Sequence, residues 1–154
     1  MNYTKVQIDT LKALMEDPLS VTYHVDAITE EVALMSNRLV VYIVPGNKLQ
    51  LTLIEAQSNF TLEKLLAAGE KAEDMTQLMP TDEYRKAGKV RRYLFDGDKA
   101  RPVYIQTQLL ANFVDPVLYQ PEYNPKHTVY VHEIDVYGKS KLAGAVMPFN
   151  IKEE

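Results

Sequence analysis

A chain of 154 residues with 46% hydrophobic and 25% charged side chains has the composition of an ordinary globular protein, long enough to bury a core without disulfides or metal. The absence of cysteine excludes a disulfide framework, a catalytic thiolate and a thiolate zinc site, and the formal net charge of -4 argues against a general nucleic-acid binder. The opening MNYTKVQIDT lacks the apolar core of a signal peptide, and no apolar run approaches the roughly 20 residues of a membrane span, so the sequence reads as cytoplasmic with no membrane contact.

Val6, Gln7 and Ile8 alternate as a short strand does, and Asp9-Thr10 can cap a short helix over residues 11–16 with Leu11, Leu14 and Met15 on one face. Asp17-Pro18 ends it, because the residue before a proline is pushed out of the helical region. Residues 20–25 alternate as a strand, and residues 31–35 read as another in preference to a helix, with residues 26–30 turning between them. Residues 38–44, RLVVYIV, are a nearly continuous β-branched run and read as a buried strand. After the turn Pro45-Gly46-Asn47, residues 49–54 return as its expected hairpin partner.

The longest helix is expected over residues 59–79. Asn59 or Thr61 can cap it, Leu62, Leu65, Leu66, Ala72, Met75, Leu78 and Met79 recur at helical spacing, Gly69 loosens it, and Pro80 stops it. The chemistry then changes: between residues 81 and 101 the bases Arg85, Lys86, Lys89, Arg91, Arg92, Lys99 and Arg101 crowd together, interleaved with Tyr84, Tyr93 and Phe95. Two readings compete. Arg85, Lys86, Lys89, Arg91, Arg92 and Tyr93 form a nucleic-acid surface with a stacking group, or the stretch is a solvated loop followed by a strand over residues 90–95.

Asp96-Gly97 makes a hairpin turn, and the second half repeats the order of the first. Residues 102–105 read as a strand, 106–114 as a short helix stopped by Asp115-Pro116, 117–119 as extended, 120–126 as a loop, and 128–136 and 141–149 as strands. Aligning the halves places Thr10 on Thr107 and Asp17-Pro18 on Asp115-Pro116. Each half reads strand, short helix, three strands.

That arrangement, with the ending LAGAVMPFNI, resembles the bacterial sliding clamps, the β subunit of the replicative DNA polymerase. The resemblance implies a clamp-like α+β fold: a duplicated β-α-β-β-β unit over residues 5–47 and 101–150 with pseudo-twofold symmetry, a mainly antiparallel sheet, and a central insertion at residues 55–100 carrying one longer helix. It also implies that Met147, Pro148 and Phe149 edge a groove for a protein or peptide partner. A clamp subunit has three such domains and this chain has room for one. The short helices that carry bases in clamps offer only Lys12 here. The resemblance therefore implies a single clamp-like domain reused for contact with a protein or nucleic acid, as an accessory of DNA replication or of a mobile element.

The sequence carries no catalytic signature. His24, His127 and His132 form no metal pattern, and His132 and Glu133 point to opposite faces of a strand, so they cannot share an ion. The sequence contains no glycine-rich phosphate loop, nucleophile elbow or HExxH, and nothing in it calls for a cofactor or metal. A non-enzymatic interaction module, free to oligomerise, is the expected class. A nucleic-acid binder using residues 85–101 and an enzyme with a dispersed site are the alternatives.

Overall fold

Asn2 sets the start of the first helix: its side-chain oxygen accepts the Lys5 backbone N–H at 3.0 Å and caps α1, Tyr3–Glu16. In this computed structural model, which describes residues 1–50 and 57–151, the strand expected at Val6–Ile8 is thus helix. Val6 and Thr10, one turn apart, are its buried residues and face the sheet, whereas Ile8 is 43% exposed. The expected apolar face is also turned around, since Leu11 and Met15 look to solvent.

Ten strands lie among the described residues: β1 Thr22–Val25, β2 Glu31–Asn37, β3 Val40–Pro45, β4 Gln57–Ser58, β5 Thr76–Arg85, β6 Val90–Phe95, β7 Pro102–Gln106, β8 Val117–Gln120, β9 Val129–Ile134 and β10 Ser140–Val146. They form one sheet in the order β4-β1-β2-β3-β10-β9-β8-β5-β6-β7. Only the β1–β4 pair is parallel among the described pairings, so the fold is α+β with a large, mostly antiparallel mixed sheet and two helices.

The sheet bends round on itself. The Met147 N–H donates to the Leu39 carbonyl at 2.8 Å and the Phe149 N–H to the Tyr104 carbonyl at 2.7 Å, so the segment leaving β10 touches β7, the strand at the far end of the order. One large core fills the inside of this bend. It joins Leu34 and Tyr42 from one limb to Leu78, Phe95 and Ile105 from the other, and Val6 of α1, Leu109 and Phe113 close it. Burying each such side chain removes about 1.5–3 kcal/mol of unfavourable hydration. The alternate residues of the same strands, Ala33, Val41, Tyr130, Leu142 and Ala145, form a second, smaller cluster on the opposite face beneath α2, Thr61–Ala67, through Leu62.

The helix expected over residues 59–79 therefore ends at Ala67. Met75, Leu78 and Met79 satisfy strand alternation as well as helical spacing. In β5 Leu78 is buried and Met79 faces out. Pro80 sits beside the register shift between Pro80 and Tyr84, where a ladder tolerates proline. What reads as a solvated loop after residue 81 is the second half of β5.

The short helix expected over residues 106–114 is one 3-10 turn, Thr107–Leu110. Side-chain bonds replace a helical ladder beyond it: Asn112 Nδ2 donates to Asp9 at 3.2 Å and to the Tyr42 hydroxyl at 3.3 Å, and the Phe113 and Tyr42 rings pack 5.1 Å apart. The final strand stops at Val146 rather than continuing to residue 149, because the chain leaves β9 behind and turns toward β7. The strand of residues 38–44 is β3, flanked by β2 and β10. Its expected hairpin partner over residues 49–54 lies, from residue 51 on, outside the described residues. No helix among the described residues is long and apolar enough to cross a membrane.

Candidate functional site: the grooves beside α2 and the basic hairpin

Two side chains from β9 fix α2 on the sheet. The Tyr130 hydroxyl donates to the Leu65 carbonyl at 2.7 Å, and His132 Nε2 donates to the Gly69 carbonyl at 2.8 Å. A carbonyl only accepts, so the neutral ring carries its proton on Nε2, and Nδ1 accepts from the Ser140 hydroxyl at 2.9 Å. Burial lowers the His132 pKa from 6.5, against the opposing pull of the Gly69 carbonyl and Glu73. Burial likewise raises the Tyr130 phenol above 10.0. Gly69 lets the segment after α2 come close to the sheet: a Cβ there would stand 1.9 Å from Tyr130 Cδ1. A glycine that reads in sequence as a weak point is the residue that lets the aromatic ring meet the backbone.

Held this way, α2 walls two grooves. The first, about 520 Å³, runs between α2 and the loop after β8. Met147 lines it with Leu65, Tyr130, Pro121, Tyr123 and Thr128, whose hydroxyl is 3.5 Å from the Met147 sulfur. The groove thus combines apolar side chains with polar groups from residues 122–128. Pro148 and Phe149 are half-buried beyond it, and Phe149 is tied to the β7 backbone, so of the three expected edge residues it is Met147 that lines the groove.

The second groove, about 440 Å³, lies on the other side of α2 over β1, β2, β3 and β10. Ala33, Ile43, Leu66 and Leu142 floor it, and Asp26, Glu31, Glu63 and Glu70 rim it. Lys141 reaches Glu31 at 3.0 Å, and His24 Nε2 stands 3.8 Å from Glu63. The backbone N–H groups of Thr29 and Ile28 hold Asp26 below its ordinary carboxylate pKa. No group of three or more histidine, aspartate and glutamate residues among those described is placed to hold a metal ion.

The basic residues fall on the β5–β6 hairpin and divide into two groups. Arg91 and Arg92 are bound into the sheet. Arg91 Nε donates to the Thr81 carbonyl at 2.7 Å, and its guanidinium lies over Tyr84 and Tyr93 at 5.4 and 5.7 Å. Arg92 bridges Glu83 at 2.9 Å and the Lys99 carbonyl at 3.0 Å, while its Nε is buried without a hydrogen-bond partner. The Tyr93 ring is buried in the main core, and that burial raises its phenol pKa above 10.0. Arg85, Lys86 and Lys89 are exposed at the hairpin tip. Tyr104 joins the two sequence-predicted sets, accepting the Phe149 N–H on its carbonyl and carrying the Arg85 guanidinium 5.9 Å from its ring.

Sequence reasoning missed Leu65, Tyr130 and Thr128 as partners of Met147, and the whole acidic groove. Their contributors are scattered along the chain, and only the close pairing of His132 with Tyr130 on one face of an alternating strand carried any signal. No protein-family model, curated protein or solved structure matches this chain.

Proposed function

We propose that this chain is a non-enzymatic interaction module with a clamp-like fold, and that it captures a short segment of a protein partner in the groove lined by Met147. The single observation that carries the reading is that Met147, Leu65 and Tyr130 line one groove together with the polar groups of residues 122–128. An apolar anchor side chain docks on the apolar residues and its backbone meets the polar groups.

The strand order supports the clamp-like part of the reading. A helix precedes the antiparallel run β1-β2-β3, a 3-10 turn precedes the antiparallel run β8-β9-β10, and the two runs meet across the antiparallel β3–β10 pair. A duplicated unit related by a twofold axis between β3 and β10 accounts for that order. The segment 55–100, with α2 and the β5–β6 hairpin, is then the insertion between the copies.

Selection of a random peptide library on the immobilised chain tests the function. An enriched peptide should carry an apolar residue, and its affinity should fall by at least about tenfold on Met147→Ala. Absence of any enriched sequence, or an affinity that Met147→Ala leaves unchanged, rejects the reading.

A further inference from the structure

We propose that the acidic groove on the far side of α2 receives the tip of the β5–β6 hairpin from a second copy of this chain. Both halves of the contact are present in one molecule. The groove has an apolar floor and a rim of Asp26, Glu31, Glu63 and Glu70. Lys141, the lysine lining it, is already paired with Glu31, and neither Asp26 nor Glu70 has an ion-pair partner among the described residues. Counting formal charges with histidine neutral, the four carboxylates and one ammonium leave an excess of three negative charges.

The hairpin tip supplies the complement. Arg85, Lys86 and Lys89 carry three positive charges, and none has an ion-pair partner among the described residues. Between the lysines the apex is only Ala87-Gly88, small enough to enter a groove of about 440 Å³ and set a methyl on its floor. Lys86, Ala87 and Gly88 hold φ angles of 53°, 57° and 85° in succession, and a Cβ built on Gly88 meets nothing within 4 Å, so the tip projects in a fixed turn into open space. A preformed tip loses little conformational entropy on docking.

The hairpin does not occupy its own groove. β5 and β6 are separated from the strands under the groove by β9 and β8, and no hairpin residue lines it. Donor and acceptor surfaces differ, so the contact is head-to-tail, and each copy offers both. Because the contact rests on charge at an exposed rim, added salt weakens it.

The test uses the full chain, two charge-reversal variants and an oligonucleotide-binding control. Sedimentation at low salt should show concentration-dependent association, with an association constant that falls by at least about tenfold at high salt. The tip variant Lys86→Glu/Lys89→Glu and the groove variant Glu63→Lys/Glu70→Lys should each be monomeric and keep the circular dichroism of the parent. Mixed together they should form a dimer that grows no further, since each brings one working surface. A monomeric parent at every concentration, association indifferent to both variants, or a mixture that stays monomeric overturns the proposal. So does a tip variant that loses affinity for a DNA or RNA oligonucleotide while its self-association is unchanged, because nucleic acid is then the occupant of the tip.

Discussion

His132 Nε2 lies 2.8 Å from the carbonyl oxygen of Gly69, so a buried imidazole on β9 holds the end of the α2 segment against the sheet. Burial keeps the ring neutral by lowering its pKa from 6.5. The unfolded chain therefore takes up a proton that the folded chain resists. Stability from this group is full above the unfolded value and falls as pH drops below it toward the folded pKa. Urea unfolding should show a lower midpoint at about pH 5.5 than at about pH 7.5, and His132→Gln should flatten that dependence. Equal slopes in the two proteins would assign the effect to other groups.

Gly69→Ala puts a Cβ 1.9 Å from the Tyr130 ring. Either the ring or the helix end must move, which costs about 1–3 kcal/mol. Tyr130→Ala also destabilises, by emptying the second core and dropping the bond to Leu65. The double variant Gly69→Ala/Tyr130→Ala should be less destabilised than the two single effects combined, because the added methyl then fills vacated space. Simple additivity in thermal or urea unfolding would show that the clash is relieved elsewhere.

Gly144 is a second close approach, in the middle of the sheet. Its Cβ would meet the Val41 carbonyl oxygen at 2.1 Å and the Phe113 ring at 3.0 Å, beside the register shift between Leu142 and Gly144. Backbone cannot swing aside as a flexible side chain does. Gly144→Ala is expected to cost at least about 2 kcal/mol, read as a fall in urea midpoint with little change in slope.

Ala87 at the hairpin tip occupies the left-handed region with φ 57°, where a Cβ costs about 1 kcal/mol. Ala87→Gly should raise stability by up to about 1 kcal/mol, offset in part by the greater freedom of glycine in the unfolded chain. Ala87→Val should lower it. If both variants unfold as the parent does, the turn is not held in this conformation.

The legible parts of the fold are those where one pattern admits one structure. The β-branched run around Val40–Pro45 and the alternation in Val129–Ile134 could only be strands, and both lie in the middle of the sheet. Where apolar spacing fits two periods, tertiary packing decided: Val6 and Ile8 alternate, yet Val6 and Thr10 are the pair buried together by α1. Leu78 and Met79 fit the end of a helix but are separated by the two faces of β5. At the site, Met147 stood out in sequence, while its groove neighbours did not. Leu65 and Tyr130 meet across 65 residues of sequence, through a hydrogen bond and packing in the second core, a separation over which no local rule operates.

Leu65 and Leu66 are adjacent in sequence yet open onto different grooves, one facing Met147 and the other the acidic rim. The helix between them is a partition, and displacing it to widen one compartment narrows the other. Occupants of the two sides would then influence each other's affinity without touching, and linkage requires that influence to be equal in both directions.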